Sequence, residues 1–166
     1  MKTKTQFAVA TLLAAVAFGQ AGKNEKEPQF SDYSVAADFH GTPAAPRLMT
    51  RGQRMFRTMI RDWVSKGPNF AGHYTIAEWG CGAGCVSIAV VDVQSGSVHD
   101  GPFGTLPRAS LSLGPDVGDD TTGLFYHLNS RLLIARGCPN NTGCGAYYYE
   151  WTGAQFRLLR RVPAKP

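Results

Sequence analysis

The chain has 166 residues, with 17 basic and 12 acidic side chains and a formal net charge of +5. Without Lys2 and Lys4 the net charge falls to +3, because 15 basic and 12 acidic side chains remain. A positive net charge this small is ordinary for a soluble protein, so composition alone does not indicate a strongly anionic partner.

The N-terminus has the pattern of an export signal. Lys2 and Lys4 precede an uncharged apolar run over residues 7–18, and small residues follow at Gly19 and Ala21. The run is shorter than the roughly 20 residues that a membrane helix needs. A basic start, a short apolar centre and a small-residue exit are typical of a secretory leader. We therefore predict a signal peptide over residues 1–21 and a periplasmic or secreted protein, with no membrane span and no nucleic acid partner.

Residues 22–46 are polar and contain prolines. The part up to Gln29 is expected to be disordered, so that this N-terminal segment is partly disordered. The side chains expected to tie the remainder down are Phe30, Tyr33, Val35 and Phe39. Residues 47–166 then form a single domain, long enough to bury a core of its own.

Residues 47–66 have the clearest helical pattern, with Pro46 suited to the first turn and Gly67 and Pro68 ending it. The apolar side comprises Leu48, Met49, Gly52, Met55, Phe56, Met59, Ile60 and Trp63. The other side carries Arg47, Arg51, Arg54, Arg57 and Arg61. The arginines predict a solvated helix face, with contact to lipid head groups or an acidic partner as the alternative.

About seven short strands follow the helix. They are expected over residues 73–79, 86–93, 97–100, 124–128, 131–135, 146–151 and 155–159. The strand over residues 86–93 is apolar on both faces, which indicates that both faces are covered. The sequence thus predicts an α+β fold, with one amphipathic helix packed on an antiparallel sheet of about seven short strands. The strand order stays open, and so does the choice between an open sheet and a curled one.

The aromatic residues Tyr147, Tyr149 and Trp151 alternate along a predicted strand and share one of its faces. With Phe156 and Leu158 on the returning strand, this face is predicted to be core. An exposed stacking platform for a sugar or a protein is the alternative.

The chain contains four cysteines, and an even number of cysteines in an exported protein indicates disulfides, here two. The favoured pairing is local, Cys81–Cys85 and Cys138–Cys144, because glycine and asparagine fill both intervals; a cross-link between the two loops is the alternative. A zinc site is disfavoured, since five residues separate the second pair and the compartment is oxidising. No metal and no cofactor are predicted.

Residues 69–85, NFAGHYTIAEWGCGAGC, resemble an uncharacterised family of small exported bacterial proteins with an NFAGHY…WGCGxxC motif. The resemblance includes an apolar strand that ends in Asp92, a turn at Gly96 and the aromatic hairpin YYYEW. It implies a bacterial periplasmic or secreted domain and carries no catalytic role.

Three glycines near two cysteines make residues 79–85 the most unusual stretch. Their backbone N–H groups fit either an anion-binding concavity or, the favoured interpretation, a disulfide-closed turn. The candidate binding residues are His73, Trp79, Gly80, Gly82 and Gly84, on a surface shared with the long loop 102–122.

No coherent set of acid, base and nucleophile is visible, so no catalytic residue is assigned. The predicted function is a non-catalytic binding module for an unknown protein or cell-envelope component. The alternative is a periplasmic hydrolase that uses His73 with Cys85 or a carboxylate, in which Asp92 or Glu78 would orient the base.

Overall fold

The computed structural model describes residues 26–37, 39–82, 84–107 and 123–164. The helices are α1 (Arg51–Met55) and α2 (Arg57–Ser65), with single 3-10 turns at Phe30–Tyr33 and Pro139–Asn141. The strands are β1 (Tyr74–Gly82), β2 (Cys85–Asp92), β3 (Val98–Asp100), β4 (Leu106–Pro107), β5 (Gly123–Tyr126), β6 (Leu132–Gly137), β7 (Gly145–Trp151) and β8 (Phe156–Pro163). The predicted signal peptide and most of the predicted loop 102–122 lie outside these residues.

The α+β class is confirmed, but the single sheet of about seven strands is wrong. The eight strands form two antiparallel sheets of four. In the first sheet β2 lies beside β1 and pairs on its other side with both β3 and β4. In the second sheet the strands follow the order β5-β6-β7-β8. β4 belongs to the stretch that the sequence assigned to a loop.

The two sheets pack face to face and enclose the largest group of buried apolar residues. A single sheet would leave this apolar face uncovered. Both sheets carry an apolar face, and each face is buried against the other. The first sheet contributes Ile76, Val86, Ile88 and Val90, and the second contributes Leu133, Ala135, Tyr147, Tyr149 and Trp151. Trp151 is only 1% exposed, so the prediction that the aromatic strand face is core is confirmed.

The helices cover the outer face of the first sheet. Ile60 and Val64 of α2 pack on Ala77, Ala89 and Val91, so β2 is buried on both faces as its composition predicts. The prediction of which residues form the apolar helix side is wrong for four positions. Gly52 is exposed, and so are Met49 (77%), Met55 (63%) and Met59 (40%).

The helix is interrupted at Phe56, which has φ −98° and ψ 19° and separates α1 from α2. The interruption changes the phase between the two helical segments, so a single helical period does not describe which side chains face the sheet. Gln53 is buried in place of a methionine. Its side chain completes a capping box with Thr50 at the start of α1.

The N-terminal segment covers the outer face of the second sheet. Phe30 and Tyr33 pack there, and the hydroxyl of Tyr148 donates to Glu27 Oε2 at 2.8 Å. The buried hydroxyl of Ser130 donates to the carbonyl of Phe30 at 2.9 Å. Both sheets therefore have packing on both faces, and the edge strand β8 stays largely exposed.

Two disulfides join Cys81 to Cys85 and Cys138 to Cys144, which is the local pairing that the sequence favoured. They fit a small disulfide-stabilised domain of the extracellular type. Within the described ranges, no helix has the length and apolarity needed to cross a bilayer.

Candidate binding cleft

Trp79 lies where the β1–β2 hairpin passes under the helices. Side chains alternate along β1, so Ala77 and Trp79 both point to the helix side. The indole of Trp79 stacks on Phe56, with ring centroids 4.7 Å apart and an interplanar angle of 22°. The residue that interrupts the helix therefore holds the end of the hairpin in place.

Trp63 forms a second aromatic wall beside Trp79. Its indole N–H donates to the carbonyl of Glu78 at 2.8 Å, which fixes the ring against the outer edge of β1. The ammonium of Lys66 lies 4.6 Å from the centre of the Trp63 ring and 3.6 Å from Asp62 Oδ2. One charge of each sign thus borders this wall.

Two open clefts lie on either side of Trp79. The larger, about 480 Å³, is lined by Met59, Trp63, Trp79, Gly80 and Gly84 together with charged neighbours. We call this space the Trp79 cleft. The second, about 420 Å³, lies toward α1, between Gln53, Phe56, Trp79, Asp100 and Phe103. Volumes of this size fit a side chain or a small group.

The indole N–H of Trp79 is buried and has no hydrogen-bond partner among the described residues. A buried donor without an acceptor costs about 1–3 kcal/mol. A bound carbonyl, carboxylate or hydroxyl that reached this N–H would recover that cost. The Trp79 indole thus lines both clefts, while its N–H lies below the surface and is unpaired.

The turn after Trp79 is closed by the Cys81–Cys85 disulfide. Gly82 (φ +133°) and Gly84 (φ +63°) adopt backbone angles that L side chains rarely take, so glycine is needed to turn the chain. This agrees with the favoured interpretation, a disulfide-closed turn. Gly80 and Gly84 line the Trp79 cleft, whereas Gly82 is exposed at the tip.

His73 lies at the opposite end of β1 and is not part of the Trp79 cleft. Six residues of extended strand, roughly 20 Å, separate it from Trp79. The predicted group of five binding residues is therefore split. Cys85 pairs with Gly82 at the far end of the hairpin and is bonded to Cys81, so the structure does not bring it to His73.

A carboxylate does lie near His73, because its Nε2 is 3.9 Å from Asp92 Oδ1. Burial acts to raise the pKa of Asp92, but hydrogen bonds from the Ser95 hydroxyl and from the N–H groups of Gln94 and Ser95 outweigh it, and the pKa is lowered. Asp92 stands between His73 and Ser95. A general base must itself contact the nucleophile, so this order does not form a catalytic triad.

Several residues of the cleft were not identified as site residues from the sequence. The sequence pattern places Phe56, Met59 and Trp63 on the apolar side of the helix and gives them no binding role. It contains no signal that marks Gln53 or Asp100 as site residues. The available signal was the presence of two tryptophans, Trp63 and Trp79, on either side of the NFAGHY motif. Sequence could not supply the stacking on Phe56, which depends on the helix interruption.

Among the described residues, no three His, Cys, Asp or Glu side chains come together in a group that could hold a metal ion. A scan against models of known protein families finds no match to this chain. Searches of curated proteins and of solved structures find none either. The resemblance at residues 69–85 therefore stays a prediction.

Proposed function

We propose that the protein is an exported, non-catalytic binding module that holds a protein or another cell-envelope component in the Trp79 cleft. The observation that carries the proposal is the position of Trp79, which lines two neighbouring clefts with aromatic walls and whose indole N–H is unpaired. Aromatic side chains in such positions often dominate binding energy at interfaces. The signal peptide and the exported family resemblance are part of the same proposal.

The edge of β1 beside the cleft supports this binding role. The N–H and C=O groups of Tyr74 bond to Phe70 and not to β2, and those of Ile76 bond to the side chain of Asn69. Alternate residues of a strand face the same neighbour. By this alternation the backbone of Gly80 also faces away from β2, where it can pair with an extended partner segment.

The test is site-specific cross-linking in the exporting cell. A photoreactive phenylalanine analogue at Met59 is expected to capture a defined envelope component, and Trp79→Ala should abolish that capture. The same analogue at Leu158, which is 52% exposed on β8, is the matched control. Equal capture from both positions, or capture at Met59 that survives Trp79→Ala, would contradict the proposal.

A second candidate function is hydrolysis with His73 as base. Its supporting observation is the 3.9 Å approach of His73 to Asp92, next to a cleft of about 360 Å³ lined by Tyr74, Arg131 and Trp151. A carboxylate that approaches an imidazole in this way can orient the ring. Turnover in a broad hydrolase screen that disappears in His73→Ala, with the fold intact, would support this function. A screen without such turnover would exclude it.

A further inference from the structure

The outward side of the helical segment carries three large apolar side chains in solvent. Met49, Met55 and Met59 are the methionines exposed there, and they account for three of the five exposed large apolar residues of the described chain. Exposed apolar groups that cluster on one surface mark interaction sites. Methionine is flexible and adapts to irregular or fluid partners.

Arginines surround these methionines without compensating acids. Residues 39–61 contain five arginines and no Asp or Glu, and all five arginines are exposed. Among the described residues, the basic partners in salt bridges are Lys66, His73, Arg131 and Arg157, so none of these five arginines takes part in one. Asp100 accepts a hydrogen bond from the buried Gln53, so it lies on the sheet side of α1. Asp62, the residue directly after this stretch, is paired with Lys66.

The two kinds of side chain alternate along the exposed part of the helical segment. The guanidinium of Arg54 donates to the carbonyl of Met49 at 2.7 Å, and that of Arg57 approaches the carbonyl of Arg54 at 3.4 Å. Met55 follows Arg51 by four residues within α1, so the two side chains lie on neighbouring turns of the same helix face. We call this surface the Met/Arg face; it comprises Met49, Arg51, Arg54, Met55, Arg57 and Met59.

We infer that the Met/Arg face docks the protein on an anionic lipid bilayer. Guanidinium groups bind lipid phosphates in bidentate geometry, while the methionines enter the boundary between head groups and acyl chains. A bilayer is favoured over an acidic peptide by shape. The face is the convex outer side of a helix, and the clefts that border the helix, including the Trp79 cleft, lie along its flanks. A fluid surface can cover such a convex face, whereas a peptide needs a groove.

The test is flotation of the protein with vesicles of phosphatidylcholine alone or with added phosphatidylglycerol, at low and high salt. We expect binding only to the anionic vesicles and weaker binding at high salt, because screening shortens the range of the attraction. Each arginine near such a surface contributes about five-fold in affinity. Arg51→Gln with Arg57→Gln should therefore weaken binding by about 25-fold, and Met49→Gln with Met55→Gln should also weaken it.

The matched controls remove the same groups elsewhere: Lys26→Gln with Arg161→Gln for charge, and Leu158→Gln for exposed apolar surface. These controls should bind as the unmodified protein does. No binding to anionic vesicles, or equal loss in the controls and in the Met/Arg variants, would overturn the inference. Binding to immobilised polyglutamate without binding to vesicles would overturn it in favour of an acidic polypeptide. Met59 is left unchanged throughout, so the outcome is independent of the Trp79 cleft.

Discussion

Phe56 and Trp79 stack with their ring centroids 4.7 Å apart, and this contact joins the interruption of the helix to the end of the β1–β2 hairpin. The stacking thus packs the helical segment on the hairpin at Phe56, where the backbone leaves helical geometry. On the far side of the same indole lies the Trp79 cleft. Stability of the helix layer and shape of the candidate site therefore depend on one aromatic pair.

Removing the Phe56 ring should loosen both elements. We expect Phe56→Ala to lower the free energy of unfolding by about 2–3 kcal/mol, less than the truncation of a fully buried phenylalanine costs, because the ring is only partly buried. Denaturant unfolding followed by tryptophan fluorescence measures the loss. Thr58→Ala, an exposed change on the same helix, should lie near zero; equal effects of the two variants would show that the stacking contributes nothing.

The two disulfides should differ in their rate of reduction. Cys81 is exposed at the hairpin tip, whereas Cys138 is only 8% exposed. Exchange requires a thiolate to reach a sulfur atom, so access controls the rate. Timed treatment with a mild reductant, followed by alkylation and mass mapping, should label Cys81 and Cys85 first. Prior labelling of Cys138 and Cys144 would contradict this order.

Loss of the exposed disulfide should still leave a folded protein. The chain-entropy model assigns a loop as short as Cys81–Cys85 a contribution of about 2 kcal/mol. The pair Cys81→Ser with Cys85→Ser should therefore reduce stability by about that amount in denaturant unfolding. A variant that fails to fold would show that the hairpin tip carries more of the native structure than its exposure suggests.

Local patterns predicted the strands well because each strand is covered in a simple way. The face of Tyr147, Tyr149 and Trp151 and the doubly apolar β2 are both buried as predicted, and the structure buries the other face of β7 as well. The division into two sheets could not be predicted, because it depends on which apolar faces meet, and on β4, a two-residue strand that pairs with β2 across a distance in sequence.

The candidate site was predicted only in part for a similar reason. His73 and the cysteine loop are close in sequence, but an extended strand between them carries them to opposite ends of the hairpin. Leu158 was expected in the core and is 52% exposed, although it pairs with Tyr149, a residue of the core. β8 is the edge strand of its sheet, and no local pattern in the sequence records that position.

Glu150 should be sensitive even to an isosteric change. Its carboxylate is 10% exposed and bonds to Arg131 at 2.7 Å and to Arg157 through the other oxygen. Both arginines are partly exposed, so solvent screens the pair. We expect Glu150→Gln to cost about 1–2 kcal/mol in denaturant unfolding and Arg157→Gln less than about 1 kcal/mol. The reverse order would indicate that Arg157, and not the buried carboxylate, is the critical partner.

The protein should lose stability between pH 10 and pH 12. Burial raises the pKa of Tyr149 to about 12, with a smaller effect of Tyr147. Burial also raises the pKa of Tyr148 to about 12, assisted by the hydrogen bond to Glu27 and by its charge. The folded state therefore holds these protons more tightly than the unfolded state. Their contribution is complete below pH 10 and is lost as the pH rises through the folded-state pKa.

Urea unfolding at a series of alkaline pH values measures this loss, and ultraviolet absorbance of tyrosinate reports the titration itself. Tyr148→Phe removes one of the late-titrating phenols, so it should flatten the pH dependence. It should also release residues 26–29 to added protease, because the bond to Glu27 is gone. An unchanged pH profile in Tyr148→Phe would exclude this group as a source of the alkaline transition.

Gly96 should be the least replaceable glycine of the β2–β3 turn. It has φ +75°, and a Cβ atom there would lie 2.3 Å from the carbonyl oxygen of Ala45. Around it the N-terminal segment is held by two backbone hydrogen bonds, from Ala44 N to Val93 O and from Arg47 N to Gly96 O, both 2.8 Å long. Gly96→Ala must therefore strain its own backbone and also push the segment away.

Substitution of Gly67 measures the backbone strain without the close contact. Its φ of +88° is just as unfavourable for alanine, but no atom lies within 4 Å of the position that a Cβ would take. Gly67→Ala should cost only the strain of the left-handed backbone, about 1–2 kcal/mol. Gly96→Ala should cost clearly more and should expose residues 42–47 to protease. If both variants unfold at the same denaturant concentration, the close packing of the segment on the turn has no energetic weight, and φ alone accounts for the choice of glycine.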